Sequence, residues 1–160
     1  MGAAAGSGLH AGHRNRRLRG SPRPLGGRGR SEVRRALLDT SVLIGNQEVP
    51  DEFETMISVV SVAELHFGFL LIADEEKRAA RLSRLGKLEA RFPYPLPIDD
   101  RVARIWGKLK AVVAQRGANP RRRTADLGIA ATAIVHEAVL ITANPKDLRL
   151  VKDLVEIRSV

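Results

Sequence analysis

The sequence predicts an α/β fold, a three-layer α/β/α sandwich around a mainly parallel sheet of about five strands. Three observations carry this reading. Short strand-leaning apolar runs at 36–38, 56–60, 96–98, 139–142 and 154–157 alternate with segments of helical periodicity. Helix-start residues separate the two kinds of segment. Acids and hydroxyls follow several of the runs, where an open parallel sheet forms its ligand crevice.

The 160 residues are enough for one domain with its own core. No cysteine is present, so neither disulfides nor a thiolate zinc site enters the argument, and a reducing, cytoplasmic setting is expected. The apolar runs are too short to cross a membrane, which predicts a soluble protein. A net charge of +9 invites a nucleic-acid reading, but its distribution is uneven. Residues 1–35 hold nine arginines and one acid, whereas the other 125 residues carry 18 basic and 17 acidic side chains.

The first 35 residues, rich in Gly, Ala, Arg and Pro, have too little apolar surface to offset the entropy of ordering and are expected to be a disordered tail. Three roles stay open for it: an arm contacting phosphates through Arg14, Arg16, Arg17 and Arg19, an inert tail, or upstream DNA translated from a start assigned too early. The change of composition near Val33 favours the last. Residues 36–160 form the predicted folded domain.

The first run, 36–38, ends on Asp39, Thr40 and Ser41, and 42–45 reads as a helical turn. A second strand is expected at 56–60, followed by Ser61-Val-Ala-Glu64, a capping-box pattern that opens a helix with Val62, Leu65, Phe69 and Ile72 on its inner face. Asp74 opens the next helix, with Leu82, Leu85, Leu88 and Phe92 inward; Pro93, Pro95 and Pro97 end it and leave 96–98 as an edge strand. Asp99 and Asp100 start a long helix whose buried face runs from Val102 to Val113. After a loop ending in Arg121, Arg122 and Arg123, Thr124 is expected to cap a helix carrying Asp126, with small Ala130 and Ala133 on the same side. A strand at 139–142, a short helix from Pro145 that carries Asp147, and a strand at 154–157 complete the domain.

Each acid has a structural reading by itself. Asp39 can cap a turn, Glu64 can close a capping box, and Asp126 can face a helix dipole. Yet Asp39, Glu64, and Asn144 with Asp147 follow parallel strands and so share one edge of the sheet. Clustered carboxylates need shared protons or a cation, and hard oxygen donors without thiolate or paired histidine select Mg²⁺ or Mn²⁺. His66 and His136 read as surface or core residues.

Four strings in order, Leu-Leu-Asp39-Thr-Ser41-Val-Leu-Ile, Ser61-Val-Ala-Glu64-Leu, Asp126-Leu-Gly-Ile-Ala-Ala-Thr-Ala and Leu-Ile-Thr142-Ala-Asn144-Pro-Lys-Asp147, resemble the PIN-domain ribonucleases, in particular the VapC-type toxins of toxin–antitoxin pairs. The resemblance covers about 36–157. It implies a Mg²⁺-dependent endoribonuclease, with Mn²⁺ as a substitute ion, in which Asp39, Glu64 and Asp126 are catalytic acids and metal ligands. The fourth acidic place falls on neutral Asn144, with Asp147 three residues on; as further catalytic candidates, Asn144 could orient a metal-bound water and Asp147 could supply charge through one. Thr40, Ser41 and Thr142 match hydroxyl positions that hold the acids. Arg121, Arg122 and Arg123 form either a solvated loop or, beside the Asp126 helix, RNA phosphate contacts. The implied partners are an RNA substrate, a cognate VapB-type antitoxin and a second copy of the chain.

Two alternatives come from other classes. A phosphoacceptor aspartate of the dehalogenase type wants a second acid where Ser41 stands, and a receiver domain places its phosphoacceptor later in the sheet. A PIN-like module that binds a partner without cutting keeps the acids only as caps. Truncation at Ser31 is expected to leave activity intact, measured as specific activity of the shortened and full chains; a loss would assign the basic tail a role.

Overall fold

The computed structural model describes residues 33–45 and 47–160; the predicted basic tail, apart from its last three residues, lies outside the described residues. The sheet has four parallel strands in the order β2-β1-β3-β4: β1 (Arg34–Leu38), β2 (Phe53–Met56), β3 (Val139–Thr142) and β4 (Ile157–Ser159). Five helices accompany it: α1 (Thr40–Ile44), α2 (Val59–Leu70), α3 (Glu75–Arg91), α4 (Asp100–Gln115) and α5 (Thr124–Val135). Short 3-10 turns at Pro120–Arg123 and Pro145–Leu148 precede α5 and follow β3.

Strand residues alternate between two cores, which makes the three layers. Leu37 and Leu140 face the α4–α5 side with Val102, Leu109, Val113 and Leu127. Ala36, Leu38, Val139 and Ile141 face the other side with Val42, and with Val62, Leu88 and Phe92 packed against them. A sheet covered on both faces reads as continuous apolar strands, which is why β1 and β3 are legible in the sequence. Seven consecutive residues of α5, Leu127 to Ala133, are buried. A helix apolar all round belongs to the interior.

Several boundaries differ from the sequence reading. β1 begins at Arg34, inside the stretch assigned to the tail. The second strand is Phe53–Met56 rather than 56–60, because Ser58 takes extended backbone angles and its hydroxyl oxygen accepts from the Ser61 amide at 3.1 Å, starting α2 at Val59. Thus Ser58, not Ser61, is the cap, and the expected pairing of Ser61 with Glu64 does not form. The segment 96–98 contributes one parallel bridge, Ser58 to Leu96, instead of a fifth strand. Its flanking prolines have no N–H with which to extend a ladder. The last strand is Ile157–Ser159, since Val155 turns into the α4–α5 core before pairing begins. Thr124 makes no cap; its hydroxyl donates to the Arg121 carbonyl at 3.1 Å. Asp74 and Asp99 do cap α3 and α4, through bonds of 2.9 and 2.8 Å to Lys77 and Val102 amides.

Gly128 sets the spacing of three helices. A Cβ there would lie 3.1 Å from the Trp106 ring on α4 and 3.3 Å from Val60 on α2. Trp106 is not free to yield, because its indole N–H is bonded to the Thr124 carbonyl at 3.1 Å. Gly128→Ala, which would gain about 1 kcal/mol in a free helix, is therefore expected to lose about 1–2 kcal/mol through overpacking. Urea unfolding measures it, and a stabilised variant would refute the close approach.

Candidate active site

The register of β1 and β3 places the centre of the site. Leu38 lies opposite Ile141, and the Asp39 amide donates to the Ile141 carbonyl at 2.9 Å, so Asp39 stands beside Thr142 at the ends of adjacent strands. The chain leaves β1 towards β2 on one side and β3 towards β4 on the other. This is the point where an open parallel sheet opens a crevice.

Asp39 is only 9% exposed and is held by three donors. Its Oδ1 accepts from the Thr40 amide at 2.8 Å, and its Oδ2 accepts from the hydroxyls of Ser41 and Thr142, each at 2.7 Å. Each hydroxyl has one proton, so both must act as acceptors elsewhere. The Ala143 amide donates to Ser41 Oγ and the Asn144 amide to Thr142 Oγ1, both at 3.0 Å. Two backbone amides thereby aim two hydroxyl protons at one carboxylate oxygen. Of a carboxylate's roughly four lone-pair directions, three are used, which leaves Oδ1 able to take one further partner. Thr40 departs from the expectation. Its amide holds Asp39, while its buried hydroxyl has no hydrogen-bond partner among the described residues.

Asp126 sits in the first turn of α5, facing the sheet edge. Burial pushes its carboxyl above the usual aspartate range, and the charges of Asp39 and Asp147 push it further; Arg123 pulls it down, and Glu64 adds a smaller push upward. Acids from three other segments therefore bear on Asp126 at this edge. Glu64 itself is exposed on α2, one turn beyond Val60, and has no capping duty. Asn144 enters through its backbone amide, and its side chain makes no cap bond. Asp147 forms an ion pair with Arg123 at 2.6 Å.

The donors are all oxygen and their charge is in excess, which suits a hard divalent cation. Among the described residues, no three His, Cys, Asp or Glu side chains already stand at ion-holding spacing. The acids are neighbours in charge without forming a closed ligand set.

A PIN-domain family model matches residues 36–154. Over 116 residues the chain is 42% identical to ribonuclease VapC4 of Mycobacterium tuberculosis, covering 69% of this chain and 86% of that protein. This chain belongs to the PIN-domain family, among its VapC members. It is also 37% identical to ribonuclease VapC5 of the same organism, over 66% of this chain and 80% of that one. The crystal structure of VapBC-5 from M. tuberculosis, a member of the VapBC family of toxin–antitoxin systems, superimposes with a TM-score of 0.66 at 32% identity, covering 79% of this chain and 97% of that chain.

Within this PIN domain the arginine triplet divides. Arg121 and Arg122 are exposed. Arg123 is instead turned inward to Asp147, with Asp126 at 3.9 Å. Sequence reasoning missed this pairing, although an Arg three residues before a helical acid is a recognisable i,i+3 signal. His66 and His136 stay apart from the acids: His66 pairs with Glu89 at 2.8 Å, and His136 ends α5.

The raised Asp126 carboxyl has a stability consequence. A folded-state value above the unfolded one favours the folded protein while the group is protonated, and that contribution is lost as pH rises through the folded value. Asp126→Asn imitates the protonated form. In EDTA at pH 7 the variant is expected to melt a few degrees higher than wild type, with the gap closing towards about pH 4. Circular-dichroism melts at both pH values check it, and an unchanged or lowered melting temperature at pH 7 would contradict the crowding of charge around Asp126.

Proposed function

We propose that this VapC-family PIN domain is a Mg²⁺-dependent endoribonuclease, the toxin of a VapBC-type toxin–antitoxin pair. The observation that carries the reading is the convergence of Asp39, Glu64 and Asp147 on Asp126 at the open end of the sheet, in a chain 42% identical to a ribonuclease. Asp39, Asp126 and Glu64 would hold the cation, whose charge offsets their repulsion. When bound, it would supply a Lewis acid for the scissile phosphate and lower the pKa of an attacking water.

The chain's own residues do the rest. Ser41 and Thr142 fix the Asp39 carboxylate in one orientation, so no ordering cost falls on it during the reaction. The exposed Glu64 can reach a substrate-side water. The exposed Arg121 and Arg122, shortly before Asp126 in the chain, would meet backbone phosphates of the RNA. No serine–histidine pair is required.

The similar crystal structure is of a member of the VapBC family of toxin–antitoxin systems, which supports a VapB-type antitoxin as partner. Phe67, Leu70 and Leu71 are 60, 71 and 68% exposed at the end of α2, an apolar patch that fits cover by the antitoxin or by a second copy of the chain. A PIN-like module that binds without cutting is the second reading, and the open spacing of the carboxylates is what favours it.

Incubating the purified protein with total RNA and Mg²⁺ separates the two. Cleavage is expected, with loss in EDTA and a fall of at least about 100-fold for Asp39→Asn. Cleavage that survives either change would refute the metal mechanism, and a wild type that leaves RNA intact would favour the binding module.

A further inference from the structure

Arg123 occupies an unusual place for a cation. It stands at the N-cap position of α5, where side chains normally accept from amides, and it makes no such bond. It is also the last residue of the 3-10 turn Pro120–Arg123, so the two helix ends leave its direction undetermined. Its location needs another cause, and the contacts supply one. Nη1 donates to the main-chain carbonyl of Asp147 at 2.7 Å and pairs with the Asp147 carboxylate at 2.6 Å. The same nitrogen lies 3.9 Å from Asp126 Oδ2, beyond hydrogen-bond reach but within Coulombic reach. Its side chain is 31% exposed, against 47% for Asp147. One guanidinium therefore joins the start of α5 to the turn that follows β3.

We propose that Arg123 is a positioning residue that fastens Asp147 at the rim and offsets its charge beside Asp126, leaving Asp39, Glu64 and Asp126 as the ion's ligands. This rests on the metal-nuclease reading above. It assigns Asp147 a different part from the one the sequence gives it. Asp147 is the counter-ion of Arg123, and its main-chain carbonyl and carboxylate together form the seat into which the arginine locks. Arg123 in turn is withdrawn from the phosphate-gripping pair Arg121 and Arg122.

The test uses the full chain and reads Mn²⁺ affinity by calorimetry or electron paramagnetic resonance, alongside RNA cleavage at saturating Mn²⁺. Arg123→Met removes a positive group that faces Asp126 and releases Asp147, so Mn²⁺ is expected to bind several-fold to about tenfold more tightly while kcat falls. Arg123→Lys keeps the charge and loses the fork, and is expected to hold wild-type Mn²⁺ affinity with intermediate kcat. Arg123→Met with Asp147→Asn removes both partners, leaves neither charge without its counter-ion and so tolerates loss of the pair best. It is expected to bind Mn²⁺ as wild type does. That double variant decides the matter even where Arg123→Met alone fails to fold. Mn²⁺ binding weakened about tenfold or more in the double variant would make Asp147 a ligand and overturn the proposal. A raised KM for RNA with unchanged Mn²⁺ affinity in Arg123→Met would make Arg123 a phosphate contact and overturn it too. A wild type that neither binds Mn²⁺ nor cuts RNA would overturn the metal-nuclease reading along with it, an outcome distinct from a functioning wild type whose variants depart from these values.

Discussion

One strand register governs the site. Because Leu38 lies opposite Ile141, the next residue on each strand, Asp39 and Thr142, must be neighbours, and neither can move without slipping β1 against β3. Slippage by one residue would exchange Leu37 and Leu140 with Leu38 and Ile141 between the two cores, turning every packed side chain to the wrong face. The core therefore enforces the position of a polar pair that contributes nothing to it. Burial of each large apolar side chain is worth about 1.5–3 kcal/mol, far more than the bond between Thr142 and Asp39.

Around that fixed pair the structure accumulates like charge, and the cost is visible in Asp126, whose carboxyl is pushed upward by burial and by its acidic neighbours. Two devices limit the cost. Backbone amides at Ala143 and Asn144 aim the Ser41 and Thr142 protons at Asp39, which stabilises its charge without adding another ion. Arg123 is the other, a single cation placed between Asp126 and Asp147. Both rely on the turn after β3, so the short segment from Thr142 to Asp147 serves the site at every residue type it offers: hydroxyl, amide and carboxylate.

The sequence made β1, β3 and α5 legible because each is a nearly unbroken apolar run, and burial on both faces leaves such a run no other place. It was least reliable where two local signals competed. Met56 to Val60 has strand composition, but Ser58 captures the Ser61 amide and turns Val59 and Val60 into helix, since burial outweighs the modest helix penalty of β-branched residues. The fifth strand failed because hydrophobic content cannot supply the N–H groups that Pro95 and Pro97 lack. At the site, Asp39 was readable from its strand-end address, and Ser41 and Thr142 from the family resemblance. Arg123 was not, because an arginine triplet in a loop looks like a solvated patch, and only the fold reveals that one of the three turns inward.

The shift of the α2 cap from Ser61 to Ser58 bears on chemistry as well as on boundaries. Had Ser61 and Glu64 closed a capping box, the Glu64 carboxylate would be spent on a backbone amide and its charge partly satisfied. With Ser58 in that role, Glu64 is released from the helix start, and Val60, one turn earlier on the same side, is the residue that meets α5 through the gap at Gly128. The close approach of α2 to α5 and the idle carboxylate are thus two results of one capping choice. Glu64 then differs from Asp39 in kind: Asp39 is fixed by three donors, whereas Glu64 is exposed and unconstrained by a cap. A centre built from one immobile acid and one adaptable acid can accept a group of variable position against a fixed reference.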